Sequence, residues 1–148
     1  MQLQGLGRPQ DSDAAVGFLE KAFHLGDRQA AIQLAGLYET DQYKIKNIEK
    51  AVYWYQQSAN QDYPQALNNL GDKYERGKGV KRDYAQAVAY YQRSANHNIV
   101  EAIYNLGRLY LRGLGVAKDE VKRRALLTQA ADRYYRPAQR KLKTLDKQ

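Results

Sequence analysis

Apolar residues recur along this chain at intervals of three and four, the spacing of one helix face, and the same faces return every 36 residues. Ala30, Ala66, Ala102 and Ala138 fall in one column, and Leu34, Leu70, Leu106 and Leu142 in another. Tyr38, Tyr74 and Tyr110 form a third. Downstream, Ala15, Ala51 and Ala87 line up, as do Phe23, Ala59, Ala95 and Ala131. A fixed period of this length marks a stack of like units that bury their faces on one another.

Each unit reads as two helices. Ala66, Leu67, Leu70, Gly71 and Tyr74 share a stripe of a first-type helix, and Ala87, Val88, Tyr91 and Ala95 a stripe of a second-type helix. Gly77-Lys78-Gly79 stops the first, since glycine accepts a left-handed C-cap, and Asp83 is placed to cap the second. Asn96 to Val100 turns the chain back. Gly71 and Gly107 lie inside helices, where glycine costs about 1 kcal/mol against alanine; close helix–helix approach is the expected return.

The pattern predicts helices near 12–24, 28–40, 48–60, 64–76, 84–96, 100–112, 120–132 and 136–146. The expected fold is all-α, a right-handed superhelical solenoid of antiparallel helix pairs. Residues 1–11 read as an N-terminal extension. Residues 12–148 read as one array: helix 12–27, repeats 28–63, 64–99 and 100–135, and terminal helix 136–148. The last helix keeps Leu142 and Leu145 but is otherwise polar after its alanine, which suits an end cap and suits equally a cut through a longer array.

The run Ala66-x3-Leu70-Gly71-x2-Tyr74-x2-Gly77-x-Gly79-Val80-x2-Asp83-x3-Ala87 resembles the Sel1-like repeat, a relative of the tetratricopeptide repeat. The third unit follows it from Ala102 to Asp119, then places Arg123 in the column of Ala87. The first unit has Ala35 at the glycine position and Asp41, Tyr43 and Lys44 in place of Gly-x-Gly-Val, so its inter-helix turn is expected to differ. The resemblance covers about residues 12–146. It implies an adaptor surface of the kind used in bacterial signalling, envelope and host-interaction proteins. Some cysteine-rich members are linked to β-lactam binding, but their paired cysteines are absent here.

Composition narrows the chemistry. Without cysteine there is no disulfide framework, thiolate zinc site or thiol nucleophile. His24 and His97 stand far apart, which leaves little for a metal, and no cofactor is expected. Ser12, Ser58 and Ser94 carry no nucleophile motif; Ser58 and Ser94 share a repeat column, as packing residues do. Gly-Lys-Gly-Val looks like a fragment of a phosphate loop, yet it recurs as Gly-Leu-Gly-Val and follows no strand, so it reads as a turn. Among the tyrosines, Tyr55 falls in a core column with Tyr91 and Leu127, whereas Tyr53 aligns with alanines and is expected at the surface. The opening residues lack a signal-peptide core and no window is apolar enough to span a membrane. An intact chain would then be cytoplasmic; a mature form or fragment fits the periplasm or secretion equally.

Charge is lopsided. Residues 1–117 carry 14 basic and 12 acidic side chains, residues 118–148 carry 10 and 4, so most of the net +8 lies at the end of the chain. Arg123, Arg124, Arg133, Arg136, Arg140, Lys141 and Lys143 could meet phosphate, but only Tyr134 and Tyr135 offer stacking and no nucleic-acid motif is present, which favours a solubilising cap or an acidic protein.

Opposite the inward stripe, the first-type helices present Gln65, Asn69, Asp72 and Arg76, then Glu101, Asn105, Arg108 and Arg112. The first unit offers Gln29, Gln33, Gly36 and Thr40, the last helix Lys141 and Thr144. In related solenoids this face lines the concave groove. Gln33, Asn69, Asn105 and Lys141 then form one column, and amides that donate and accept can hold an extended backbone of any sequence. Arg108, Arg112 and Lys141 would favour acidic groups at one end. The expected function is a non-enzymatic scaffold binding a peptide or a partner's loop. Two rivals remain: a small-molecule or cell-wall glycan binder or enzyme using exposed tyrosines, and a structural segment of a larger repeat protein.

Overall fold

The structure is a computed structural model that describes residues 9–146, with side chains from Ser12 onward. Eight helices follow one another among the described residues: α1 (Pro9–His24), α2 (Ala30–Glu39), α3 (Ile48–Asn60), α4 (Pro64–Arg76), α5 (Tyr84–Asn96), α6 (Val100–Arg112), α7 (Glu120–Asp132) and α8 (Arg136–Asp146). The fold is all-α. Each helix packs on the next in chain order, which makes the array a solenoid of helix pairs. Even-numbered helices are of the first type and odd-numbered ones of the second. Of the segment expected as an N-terminal extension, residues 1–8 lie outside the described residues. The helix after it starts at Pro9 rather than near residue 12, as a proline in the first turn allows, because the amide it lacks has no intrahelical partner there.

The repeat columns form the interior. Ala31, Leu34, Ala35 and Tyr38 of α2 pack with Ala51, Val52, Trp54 and Tyr55 of α3 and with Ala66, Leu67 and Leu70 of α4. Ala87, Tyr91, Ala102, Leu106 and Leu109 continue the core, and Ile103, Leu127, Ala130 and Ala138 end it. Each fully buried leucine or isoleucine adds about 1.5–3 kcal/mol over an exposed one, so the columns hold the stack together. Ser58 and Ser94 are buried among them, and Ser94 Oγ donates to the Pro64 carbonyl at 2.9 Å.

The hairpins close alike. Asp83 and Asp119 accept from the amides of Gln86 and Lys122 at 3.1 and 2.9 Å, and Gly77 and Gly113 take left-handed C-caps. The degenerate first turn keeps this frame: Asn47 stands in the Asp83 column, accepts from Lys50 N at 3.0 Å, and its own amide reaches Tyr38 O at 2.7 Å. Asp83 N reaches Tyr74 O in the same way at 2.9 Å. The change from glycine to Tyr43 is matched on the preceding helix. A Cβ on Gly79 would fall 2.6 Å from Ile48 Cγ2, and one on Gly115 only 2.4 Å from Tyr84 O. In the first unit the side chains trade size: buried Tyr43 fills the turn, and small Ser12, in the column of Ile48 and Tyr84, donates to the Tyr43 carbonyl at 3.0 Å.

Two expectations are corrected. A Cβ on Gly71 would sit 2.6 Å from the Tyr91 ring, a true close approach, but one on Gly107 meets Leu126 Cβ at an ordinary 3.5 Å. Leu127 stands where Tyr91 stood and is smaller, so the third unit has room. Arg123, counted with the surface basic residues, is 4% exposed, with its guanidinium on Glu120. It fills the alanine column from within and is not available to an external phosphate.

Candidate functional site

The first-type helices α4 and α6 lie side by side with a polar seam between them. Arg108 grips Glu75 with two hydrogen bonds of 3.0 Å, and Tyr91 donates to the same carboxylate at 2.7 Å. Asn105 donates to Asn68 at 3.3 Å and accepts from Arg108 at 3.2 Å. One unit earlier, Tyr55 donates to Glu39, and the buried ammonium of Lys73 pairs with it. Burial alone would push the Glu39 and Glu75 carboxyls up, but the hydrogen bonds from Lys73 and Tyr55, and from Arg108 and Tyr91, outweigh it and leave both below the usual carboxylate range. Burial and those carboxylates push the Tyr55 and Tyr91 phenols up, so both stay protonated donors.

This seam draws in part of the expected groove face. Asn69, Asp72, Asn105 and Arg108 are half-buried rather than open, and from α6 Asn105 and Arg108 reach back to Asn68 and Glu75 of α4. Asp72 accepts from Arg76 at 2.7 Å, and Arg108 is committed to Glu75. Asn69 differs: among the described residues its side chain has no hydrogen-bond partner. Gln33, Gln65, Arg76, Glu101, Arg112 and Lys141 are exposed. The structure therefore brings Asn105 and Arg108 into one network, leaves Asn69 beside it, and sets the exposed group along the rim.

Glu39, Glu75 and Asn68 escaped the sequence reading. A signal existed: Glu39 and Glu75 are 36 residues apart, as are Tyr55 and Tyr91, and both columns become leucine together at Leu111 and Leu127. Tyr55 is core at 4% exposure and Tyr53 surface at 56%. His24 is exposed at the end of α1, and His97 pairs with Asp62 at 2.8 Å in a turn. Among the described residues no group of three or more His, Asp or Glu could hold a metal, and no helix is long and apolar enough to cross a membrane. Of the basic tail, Arg124 pairs with Asp146 at 3.0 Å and Arg133 donates to the Asn98 carbonyl, while Arg136, Arg140, Lys141 and Lys143 are exposed.

A second feature lies at the other end of the array. A cavity of about 520 Å³ opens between α1 and α2, walled by Ala15, Phe18, Leu19, Gly36, Leu37 and Tyr43, with Gln33 at its edge.

The model of the Sel1 repeat matches residues 1–27, 28–63, 64–99 and 100–135. No curated protein matches the chain. Among solved structures, a Sel1 repeat protein from Oxalobacter formigenes is 31% identical with a TM-score of 0.77, over 85% of this chain and 95% of its own. A protective antigen of uropathogenic Escherichia coli strains, displaying an SLR fold, is 31% identical with a TM-score of 0.76 over 80% of this chain. The chain spans 25% of that antigen's length. Cysteine-rich protein B of Helicobacter pylori, 24% identical with a TM-score of 0.67 over 88% of this chain and 93% of its own, shares the fold.

Proposed function

The chain belongs to the Sel1 repeat family, whose members are generally non-catalytic protein-interaction scaffolds, and we propose that it holds an extended segment of a partner protein along the polar face of its first-type helices. One observation carries this reading. Asn69 is half-buried beside a hydrogen-bonded network, yet among the described residues its amide has no hydrogen-bond partner. A carboxamide held in place with both donor and acceptor unused suits a peptide backbone, which presents both. Exposed Gln65 and Glu101 belong to the same helix faces, and Arg112 and Lys141 add positive charge that favours an acidic segment.

A photo-crosslinking residue tests this directly. Placed at Gln65, it should capture a protein in the native host. Placed at Ala89, exposed on α5, it should not. With that partner purified, Asn69→Ala should weaken binding roughly three- to tenfold, the loss of one or two hydrogen bonds, with an unchanged melting temperature. Equal capture at both positions, or unaltered affinity in the variant, would remove this face as the site.

A further inference from the structure

We propose that a basic cavity between α6, α7 and α8 binds a carboxylate carried on a short apolar stem. The repeat columns identify it. Glu39 and Glu75 each place a carboxylate among three successive helices, where a tyrosine of the second-type helix and a cation of the next first-type helix hold it. One unit on, the members of this network change together. Leu111 stands in the column of Glu75, Leu127 in that of Tyr91 and Thr144 in that of Arg108, while Leu145 falls in the column of Lys73. The internal carboxylate is gone. A cavity of about 360 Å³ opens there, and Leu111, Thr144 and Leu145 line it.

The surrounding charge changes in the opposite direction. Arg123 takes the column of Ala87, Lys141 takes that of Asn105, and Lys118 keeps the basic column of Lys46 and Arg82. All three line the cavity, against one carboxylate, Glu120. Lys118 and Lys141 are exposed, and among the described residues neither ammonium has an ion pair or a hydrogen bond. The Arg123 side chain is 5% exposed, with its guanidinium on Glu120. Its buried Nε has no hydrogen-bond partner among the described residues, although buried donors are as a rule paired. Arg123 stays in the wall and acts through its charge, whereas Lys118 and Lys141 make the contacts. A cleft lined mainly by one sign of charge focuses the field and draws in an anion. Half-buried Leu111 and Leu145 favour an anion with an apolar body over a bare ion. The choice of a carboxylate follows from the two preceding units, which fill the same columns with a glutamate. A free organic acid and a glutamate of a partner both present this group. The inference does not rest on the peptide reading, since Asn69 of α4 does not line the cavity.

The probes are hexanoate and a capped tripeptide with glutamate at its centre, titrated at low ionic strength into the isotope-labelled whole chain and followed by its amide resonances. Saturable shifts are expected at the start of α7 and along α8, and not with hexanol or inorganic phosphate at the same concentrations. Tighter binding of hexanoate assigns the site to a free acid, and tighter binding of the tripeptide assigns it to a partner's glutamate; either result supports a carboxylate site. Lys118→Met and Lys141→Met should each weaken binding about three- to tenfold, the loss of one charge-assisted contact, while Asn69→Ala leaves it unchanged. Leu111→Glu, copying Glu75, supplies the carboxylate from within and should abolish binding with no fall in melting temperature. Lys118 and Lys141 are exposed, so their variants stay folded and carry the test even where Leu111→Glu does not fold. Absence of saturable shifts, binding of hexanol or phosphate as tight as that of hexanoate, or wild-type affinity in both lysine variants overturns the proposal.

Discussion

At the scale of single residues, two glycines in one column have opposite roles. Gly71→Ala gains helix propensity of about 1 kcal/mol but places a Cβ 2.6 Å from a buried tyrosine ring. Overpacking of that kind costs about 1–3 kcal/mol, so a net loss in denaturant-measured stability is expected. Gly107→Ala meets only ordinary contact at 3.5 Å and should raise stability by up to about 1 kcal/mol. Changes of the same sign in both would show that the column, and not its neighbour across the helix pair, sets the effect. The column alone could not separate them, because what decides is the neighbour across the helix pair, the Tyr91 ring in one unit and the smaller Leu127 in its place in the next. The first-unit turn shows the same limit. Tyr43 reads as a departure in its own column and Ser12 as unremarkable in its own; they become a size exchange only once the turn is seen to touch the preceding helix. Periodicity shows which residues point inward and leaves open which inward residues meet.

At the scale of helices, the 36-residue period placed six of the eight helices at their observed limits, and the two remaining helices, α1 and α2, differ at their ends. The candidate site was less legible. The 100° step sets Asn69 and Asn105 opposite the apolar stripe, but their half-burial, and the bond that ties Asn105 to Asn68 of α4, have no signature in one helix's sequence. What the seam holds is a chain of charges: Glu75 takes Arg108 from α6 and Tyr91 from α5 and so ties three helices together. Its side chain is 13% exposed and that of Arg108 30%, so removing the carboxylate strands a half-buried cation and a phenol. Glu75→Gln should cost about 1–3 kcal/mol at neutral pH. The carboxyl of Glu75 is held below its unfolded value. Its stabilisation is therefore complete above the ordinary carboxylate range and is lost as pH falls through the folded value. Thermal melts between about pH 6 and pH 3 should fall more steeply for the wild type than for Glu75→Gln. Parallel curves would mean that the network adds nothing to folding.

At the scale of the whole molecule, the two ends of the array are unlike, and that difference governs how it should open. In a solenoid each helix gains only from its neighbours, so stability falls toward the ends. Helix α8 turns charge to water: Arg136, Arg140, Lys141 and Lys143 are exposed, and Asp146 ties back to Arg124. Leu142 and Leu145 pack inward on the last core cluster. Helix α1 rests on α2 and leaves Phe18 exposed beside the hollow between them. The centre is different again, since α4 and α5 have neighbours on both sides and carry the glutamate–tyrosine networks. Native-state hydrogen exchange should therefore be slowest in α4 and α5 and faster toward both ends. Exchange in α1 should be faster than in α8, because Phe18 of α1 stands in water whereas Leu142 and Leu145 of α8 pack inward. Uniform protection from α1 to α8 would instead mean that the eight helices unfold as one cooperative body, and the reading of the stack as a sum of neighbouring contacts would fail.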